Sequence, residues 1–372
     1  MSSRHPLLTA RAGLAAAMLF AGSVAAGATG LTSEPMGLRH GSIGEQRVTA
    51  RVFDGHHDLG PCEVVVSGGR IVSVRPVHHL HDDEVTGWLS PGLIDLDAEI
   101  GQAWLAAEPV DSITADLRAI DAFAPEESEL AAWRASGVTS CWLSAGRWSV
   151  LAGQGAWVQP SDDGHSVLSA AAGHVGNLIA DARDPERAPT SLPGQSQLLA
   201  ERLGSLRSGA PPRVRFDDTA SLRQARRLHG VLPMGSPGAT AELIEYQGLR
   251  SLVVTDLGPG SGTDALAATA RLLADANGPR FGFGSSWLTG GPRQLRSLAA
   301  RLVQDGLSRE RALAGLTSDA AALAGLSDRG SIRAGAVADL VLWSGDPLLP
   351  ASRARKVWVG GRLVHDEDEV TR

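Results

Sequence analysis

The chain has 372 residues, of which 43% are hydrophobic and 20% charged, enough for one large or two ordinary water-soluble domains with a sizeable core. Its net charge of −7 argues against nucleic acid or an anionic membrane surface as a partner, since both select basic faces. Lys356 is the only lysine and Tyr246 the only tyrosine, so arginine supplies nearly all the positive charge.

Residues 1–28 have the form of a signal peptide. Arg4 and Arg11 precede an apolar run, Leu14 to Ala21 continuing through Val24-Ala25-Ala26, and Ala26-Gly27-Ala28 is an A-x-A cleavage site. The expected mature protein is exported, to a periplasm or the extracellular space; the alternative is a retained N-terminal membrane anchor. No cysteine near the cleavage site favours a lipid anchor, and no later segment is apolar enough to span a bilayer. Cys62 and Cys141 fall in different predicted modules and make no disulfide framework.

From residue 46 the chain reads as short β-branched strands: Val48 to Phe53, Cys62 to Ser67 and Arg70 to Arg75, the last two joined at Gly68-Gly69, a two-residue hairpin signal. The far end repeats this texture. Ala338 to Trp343 is a strand, and Lys356 to Val359 and Arg362 to His365 flank Gly360-Gly361. These two blocks, 46–90 and 327–372, predict one composite β-sandwich with the middle of the chain inserted between them. A cluster of histidines and aspartates, His78, His79, His81, Asp82 and Asp83, lies just before the insertion and reads as a solvated loop.

Between 91 and 326 strands and helices alternate. Pro125 to Arg134 is a helix with proline at its start and acids in its first turn, favourable against the helix dipole, and Gly137 ends it. Val138 to Leu143 is the next strand. Then follow Val214 to Phe216, the helix Ser221 to Arg227, Val231 to Met234, the helix Ala239 to Glu245, and the strand Leu252 to Thr255. The helix Asp264 to Ala274, the strand Arg280 to Phe283 and the helix Arg293 to Gln304 complete the series. Such alternation predicts an α/β fold with a parallel sheet, most economically a (β/α)8 TIM-type barrel. The insert is slightly short for one, and proline and glycine around 185–215 suggest a missing helix or a reduced strand there.

The stretch Trp88 to Glu99 carries the chemistry. Pro91-Gly92 is followed by Leu93-Ile94 and then by carboxylates at alternate positions, Asp95, Asp97 and Glu99. Strand geometry puts alternate side chains on one face, here toward the barrel mouth. Pro91, Gly92, Ile94 and Asp95 fit the frame Pro-Gly-x-Ile-Asp-x-His-x-His that opens the amidohydrolase superfamily, and Gly330 to Leu342 resembles that family's return strand, Gly-Ser-Ile-x-x-Gly-x-x-Ala-Asp-Leu. Ala145 to Ala156 resembles a loop of imidazolonepropionase-like members. Together these segments reach both ends and the middle of residues 48–365.

The resemblance implies the TIM-type barrel with its terminal sandwich, and a metal-dependent hydrolase acting on carbon–nitrogen, non-peptide bonds. The family's metal site takes four histidines, an aspartate and often a lysine. Here Asp97 and Glu99 stand at the first pair, Thr255 or Asp256 at a later strand end, and Ser286 where an aspartate follows a Gly-Ser pair; Asp95 sits behind them as a residue that orients rather than binds. Lys356 belongs to the terminal hairpin. Of eleven histidines only His165, His174 and His229 fall in the barrel segment, each expected at the surface or packed against a helix. Two readings of the acids follow. Asp97, Glu99 and Asp256 are a hard oxygen set suited to Mg2+ or Ca2+ and not to zinc, or they are relics, solvated or paired with an arginine such as Arg147 or Arg215. No nucleophile triad stands out: Ser285 and Ser286 have no histidine nearby, and the glycine runs Gly153 to Ala156 and Gly258 to Gly262 lack a following Gly-Lys-Ser/Thr. The leading expectation is a catalytically impaired family member with no metal cofactor, whose mouth binds a small polar molecule or a protein partner. The alternatives are an active hydrolase using a hard divalent cation, and a purely structural or interaction role.

Overall fold

In the computed structural model the described residues are 44–370, apart from 78–86, 102–107, 162–163, 207–208, 237–247, 256–262 and 286–290. The signal segment, the His78–Asp83 cluster, the helix Ala239 to Glu245, the Gly258 to Gly262 run, Asp256 and Ser286 therefore lie outside them. Among the described residues no helix is long and apolar enough to cross a membrane.

The two ends of the chain build one seven-stranded sheet. Strands β1 (Gln46–Phe53), β2 (Asp58–Ser67), β3 (Arg70–Pro76) and β4 (Trp88–Pro91) come from the N-terminal block. The sheet order runs from the last C-terminal strand through β4 and β1 to β3, and the seam between the blocks is Leu89 opposite Leu342. Both predicted hairpins are present. Gly68 and Gly69 have φ of 58° and 78°, and Gly360 and Gly361 have 56° and 78°, so both central residues of each turn are left-handed, as a type I′ turn requires. The sheet curls until these turns touch. A Cβ on Gly361 would sit 2.8 Å from the Gly69 Cα, and Trp358 Nε1 donates to Gln46 Oε1 at 2.9 Å across the fold.

The middle of the chain adds two sheets. β5 (Leu93–Ala98) and β6 (Val138–Leu143) are parallel. Between them α1 (Glu127–Ser136) starts in a capping box of Glu126 and Glu129 and stops at Gly137, φ 82°, where any side chain would strike the Trp343 ring. The alternation then lapses. β7 (Leu151–Gln154), β8 (Ala156–Ser161) and β9 (Gly164–Ser169) form antiparallel pairings, with β8 on β6, β9 on β8 and β7 on β10 (His174–Leu178).

From β10 onward the strand–helix pattern holds. α2 (Leu192–Ser205) leads to β11 (Arg213–Phe216), α3 (Thr219–Arg227) to β12 (Leu232–Gly235), then come β13 (Ser251–Val254), α4 (Thr263–Ala274) and β14 (Arg280–Phe283), with β10 to β14 all parallel. α5 (Leu295–Gln304), α6 (Arg309–Leu316) and α7 (Ser318–Ala324) lead back to β15 (Leu340–Trp343), β16 (Ala354–Val359), β17 (Arg362–Asp366) and the short α8 (Glu367–Val370).

The gap expected around 185–215 is instead the fourteen-residue helix α2. Ser191 caps it, and Pro193 stands in its first turn, where a missing N–H costs nothing. The irregular stretch is 144–170. The two central sheets are separate hydrogen-bonded ladders, of four and six strands. They meet where β14 abuts β5: a Cβ on Gly284 would lie 2.6 Å from the Asp97 Cβ, and one on Gly282 2.4 Å from Leu96 Cδ1, so this approach needs glycine. One apolar cluster fills the space between them and continues into the terminal sheet, from Leu93, Trp142 and Phe281 to Val341 and Trp343.

Candidate functional site

The site lies at the C-terminal end of β5, facing the ends of β6, β10 and β11. Asp97 is fully buried, and so is Arg215 from the middle of β11. The guanidinium donates from Nη2 to Asp97 Oδ1 at 2.7 Å and to Ser144 Oγ. Its Nε lies 3.4 Å from Asp97 Oδ2, and Nη1 donates to the Gly146 carbonyl at 2.8 Å and to Asn177 Oδ1 at 3.3 Å. Burial alone would lower the pKa of Arg215, but the charges of Asp97 and Glu99 outweigh it and hold the group above its ordinary range.

Glu99 is one turn of the strand further out and partly exposed. Arg147 Nη2 meets both of its carboxylate oxygens at 2.9 Å, and Arg147 Nη1 stands 3.7 Å from Asp181. The acids therefore have the arginine partners that the second sequence reading named, Arg215 for Asp97 and Arg147 for Glu99.

Beneath this layer lies a second one. Arg213, two residues before Arg215 and so on the same face of β11, is buried over the Trp142 ring at 3.9 Å and donates to the Leu96 carbonyl. Burial pushes its pKa down to about 9, which leaves it charged at neutral pH. Asp95 is buried and accepts from Ser285 Oγ at 2.5 Å, and from the Ser285 and Asp97 amides at 3.1 Å each. Its carboxyl is pushed up to about 7, by burial first, with the Asp97 charge acting the same way and these hydrogen bonds opposing it. Asp95 thus ties β14 to β5 where no backbone ladder joins them.

Loops cross over the end of the strands and are fastened to one another. Asn177 Nδ2 donates to the Ser149 carbonyl, Ser149 Oγ to that of Glu108, and Ser112 Oγ to that of Ala188. Arg187 gathers the carbonyls of Pro109, Asp111, Trp148 and Ala182. Ser236, which follows β12, has a buried Oγ without a hydrogen-bond partner among the described residues.

The described residues at these positions assemble no metal centre. Among the described residues no three His, Cys, Asp or Glu side chains group closely enough to hold a metal ion. The carboxylates at the first-strand positions each face a guanidinium, whose charge would repel a cation at the same oxygens. Asp256 and Ser286 lie outside the described residues, while Thr255 is buried beside the end of β13. His165 is exposed, edge-on to Phe123, and His229 is exposed in the turn before β12. His174, expected at the surface or packed against a helix, is buried at the start of β10, the strand that α2 covers. Sequence reading missed Arg213, Asn177, Ser144 and Arg187. The available signal was charge complementarity, with two arginines at alternate positions of one strand answering three carboxylates at alternate positions of another.

A model of the amidohydrolase family matches residues 163–365. Among solved structures, an amidohydrolase from Thermotoga maritima MSB8 is similar with a TM-score of 0.70 at 21% identity, over 86% of this chain and 98% of that one. Phenylurea hydrolase B is similar at 0.55 and 13% identity, over 86% and 97%. The β-aspartyl dipeptidase of Fervidobacterium islandicum AW-1 is similar at 0.53 and 15% identity, over 87% and 98%. No curated protein matches in sequence.

Proposed function

The chain belongs to the amidohydrolase family, and from that premise we propose that it is a catalytically impaired member in which a buried arginine has taken the place of the metal. The observation that carries this reading is the Asp97–Arg215 ion pair, enclosed on all sides and shared with Ser144, Gly146 and Asn177. A metal in such a scaffold would supply a hydroxide at neutral pH and a Lewis acid for the amide carbonyl. A guanidinium supplies a fixed charge and directed N–H donors, but it neither ionises water nor accepts an electron pair.

In this reading the four- and six-stranded sheets are two arcs of one TIM-type barrel spanning about residues 91–326. The side-chain contacts of Asp95 with Ser285 and Asp97 with Arg215 bridge the arcs. The segments 46–90 and 327–372 form its composite sandwich, and the mature chain is exported. The mouth retains polar groups for a small polar ligand or a partner, Ser236 Oγ and the Glu99–Arg147 pair among them.

The test is metal analysis of the purified chain after incubation with zinc, manganese and magnesium salts followed by dialysis, together with turnover assays on a β-aspartyl dipeptide, a phenylurea and a cyclic amide. The expected result is sub-stoichiometric metal and no turnover above background. Stoichiometric zinc that survives dialysis would overturn the proposal. So would magnesium-dependent turnover lost in the Asp97→Ala, Glu99→Ala double variant, which would mark an active hydrolase with a carboxylate site.

A further inference from the structure

A cleft open to solvent lies where α1 and the head of α5 meet the last strands of the terminal sheet. Its volume is about 540 Å3, in the range of small-molecule sites. Ala135 and Ser136 end α1 on one side, and Arg293 and Arg296 stand in the turn before α5 and in its first turn. Arg353 and Ala354 lie where β16 begins, and His365 of β17 and Glu367 of α8 complete the wall. None of Asp97, Glu99, Arg147 and Arg215 lines it.

The charge of this wall opposes that of the chain, whose net charge is −7. Three guanidinium groups less one carboxylate, Glu367, leave an excess of two positive charges. Arg353 Nε meets Glu367 Oε1 at 2.7 Å, while Arg293 is exposed and has no partner among the described residues. Asp366, next along the chain, is taken by Lys356 at 2.7 Å. His365 adds no charge. Burial, helped by the charge of Arg134, lowers its pKa against the opposing influences of the Ala354 carbonyl, Glu367 and Asp366, so the ring is neutral at physiological pH. Its Nε2–H donates to that carbonyl at 3.2 Å.

Arg296 is the anchored member of the three. Nη1 donates to the Pro347 carbonyl at 2.6 Å and Nη2 to the Ser352 carbonyl at 2.9 Å, and the guanidinium lies over the Trp343 ring at 4.6 Å. Two carbonyls and a ring direct the fork without cancelling its charge, and they leave some of its five N–H donors unused. Burial lowers the pKa of Arg296 and no carboxylate opposes it. A half-buried cation with no counter-ion is costly, and an anion in the cleft would relieve that cost.

A single carboxylate would answer half of the excess. A phosphate monoester answers nearly all of it, with about −1.5 to −2 charges at neutral pH and three acceptor oxygens on one centre. Guanidinium forks pair with such oxygens two at a time. The cleft is larger than a phosphoryl group alone needs, and Ala135 and Ala354 offer apolar surface to the rest of the molecule. We infer that this cleft binds a small soluble phosphate monoester. Its phosphoryl group lies among Arg293, Arg296 and Arg353, and its organic part lies against the two alanines. The negative charge of the whole chain favours a soluble ester over phosphate carried on an anionic bilayer. The inference does not rest on the reading of the mouth, and its test does not use turnover.

The experiment titrates the full chain by calorimetry in phosphate-free, low-salt buffer at about pH 7.5, where such an ester is largely a dianion. The probes are phenyl phosphate and phenyl sulfate, a monoanion of the same shape. Phenyl phosphate is expected to bind saturably at one site with a Kd below about 1 mM. It should bind about fivefold more tightly than phenyl sulfate, the worth of one added charge at a solvent-facing site. Sodium chloride should weaken it. Arg293→Gln and Arg353→Gln should each weaken phenyl phosphate by roughly five- to tenfold. Glu367→Gln should tighten it, and Arg47→Gln, at an exposed position of β1, should leave it unchanged. Arg293 supports no other described residue, so its variant tests the cleft without disturbing the fold. No saturable binding, equal affinities for the two probes, or a loss in Arg47→Gln equal to that in Arg293→Gln would each overturn the inference. So would co-sedimentation with phosphatidylcholine vesicles containing phosphatidate in place of binding to the free ester.

Discussion

Replacing Arg215 by alanine tests the structural core of the proposal. The change removes a guanidinium that is 1% exposed and strands Asp97, which is 0% exposed. Breaking a buried pair from one side costs about 3–5 kcal/mol. An independent count agrees. The charged bond to Asp97 is worth roughly 2 kcal/mol and the bonds to Ser144, Gly146 and Asn177 about 1 kcal/mol each, partly offset by water entering the space left behind. We expect a loss of about 4 kcal/mol, out of a total of about 5–15 kcal/mol for a typical domain, so the variant should still fold. With a urea slope of about 3 kcal/mol/M the unfolding midpoint falls by roughly 1.3 M. Urea is the proper denaturant, because guanidinium ion could enter the vacated site. Two controls define the mechanism. The double variant Arg215→Met, Asp97→Leu should recover most of the loss, since apolar replacements of a buried pair are often neutral. Millimolar magnesium should stabilise Arg215→Ala and leave the unsubstituted protein unchanged, because only the variant offers Asp97 to a cation. A loss below about 1 kcal/mol, or a double variant no better than the single one, would refute the reasoning.

Two further outcomes follow from the neighbouring groups. The Asp95 carboxyl is raised from 3.8 to about 7 in the folded chain, so the folded state holds a proton that the unfolded state releases between those values. Its contribution is complete below about pH 4 and is lost as pH rises through about 7. Up to about 4 kcal/mol is involved, and urea midpoints compared at pH 5 and pH 8 should show a fall that Asp95→Asn flattens; equal pH slopes in the two proteins would contradict it. Asp339→Ala should cost about 3–5 kcal/mol in the same assay, because the carboxylate is buried and holds Arg329, the Gly360 amide at 2.7 Å and Gln159 Nε2 at 3.0 Å, and the Gly360 amide should exchange faster with solvent.

Asp339 also shows why the fold was legible. In the sequence it is the acid of an Ala-Asp-Leu motif; in the structure its carboxylate joins Gln159 of β8 to the β16–β17 turn. Local rules located the elements around it: a Gly-Gly pair at each hairpin, first-turn acids and a closing glycine on α1, and β-branched runs in β1, β2 and β3. What local rules could not reach depended on partners far along the chain. Pro193 and Gly194 look like helix breakers until Ser191 is seen capping the turn they occupy. Arg213 and Arg215, alternating with Val214 and Phe216, have the pattern of a half-exposed strand. They are buried only because carboxylates from β5 and the Trp142 ring meet them across the interior. The arginine partners of Asp97 and Glu99 could be named from the sequence because the charge had to be answered by something, and lysine was absent from the barrel segment.

On the proposed reading, that constraint explains how such a site can persist without a set of nitrogen donors. A carboxylate at Asp97 cannot stand unneutralised in a closed interior, since removing even one charge from water costs several kcal/mol. A divalent ion would meet the electrostatic need and the chemical need together. Arg215 meets the first alone: it returns one positive charge, offers N–H donors that reach four partners, and is anchored by its own strand, so its placement does not depend on ion supply. A scaffold neutralised in this way stays folded through any change at the mouth that leaves the Asp97–Arg215 pair intact. Glu99, Arg147 and the loops gathered by Arg187 are then free to vary with whatever the mouth holds, while the layer beneath them is fixed by folding.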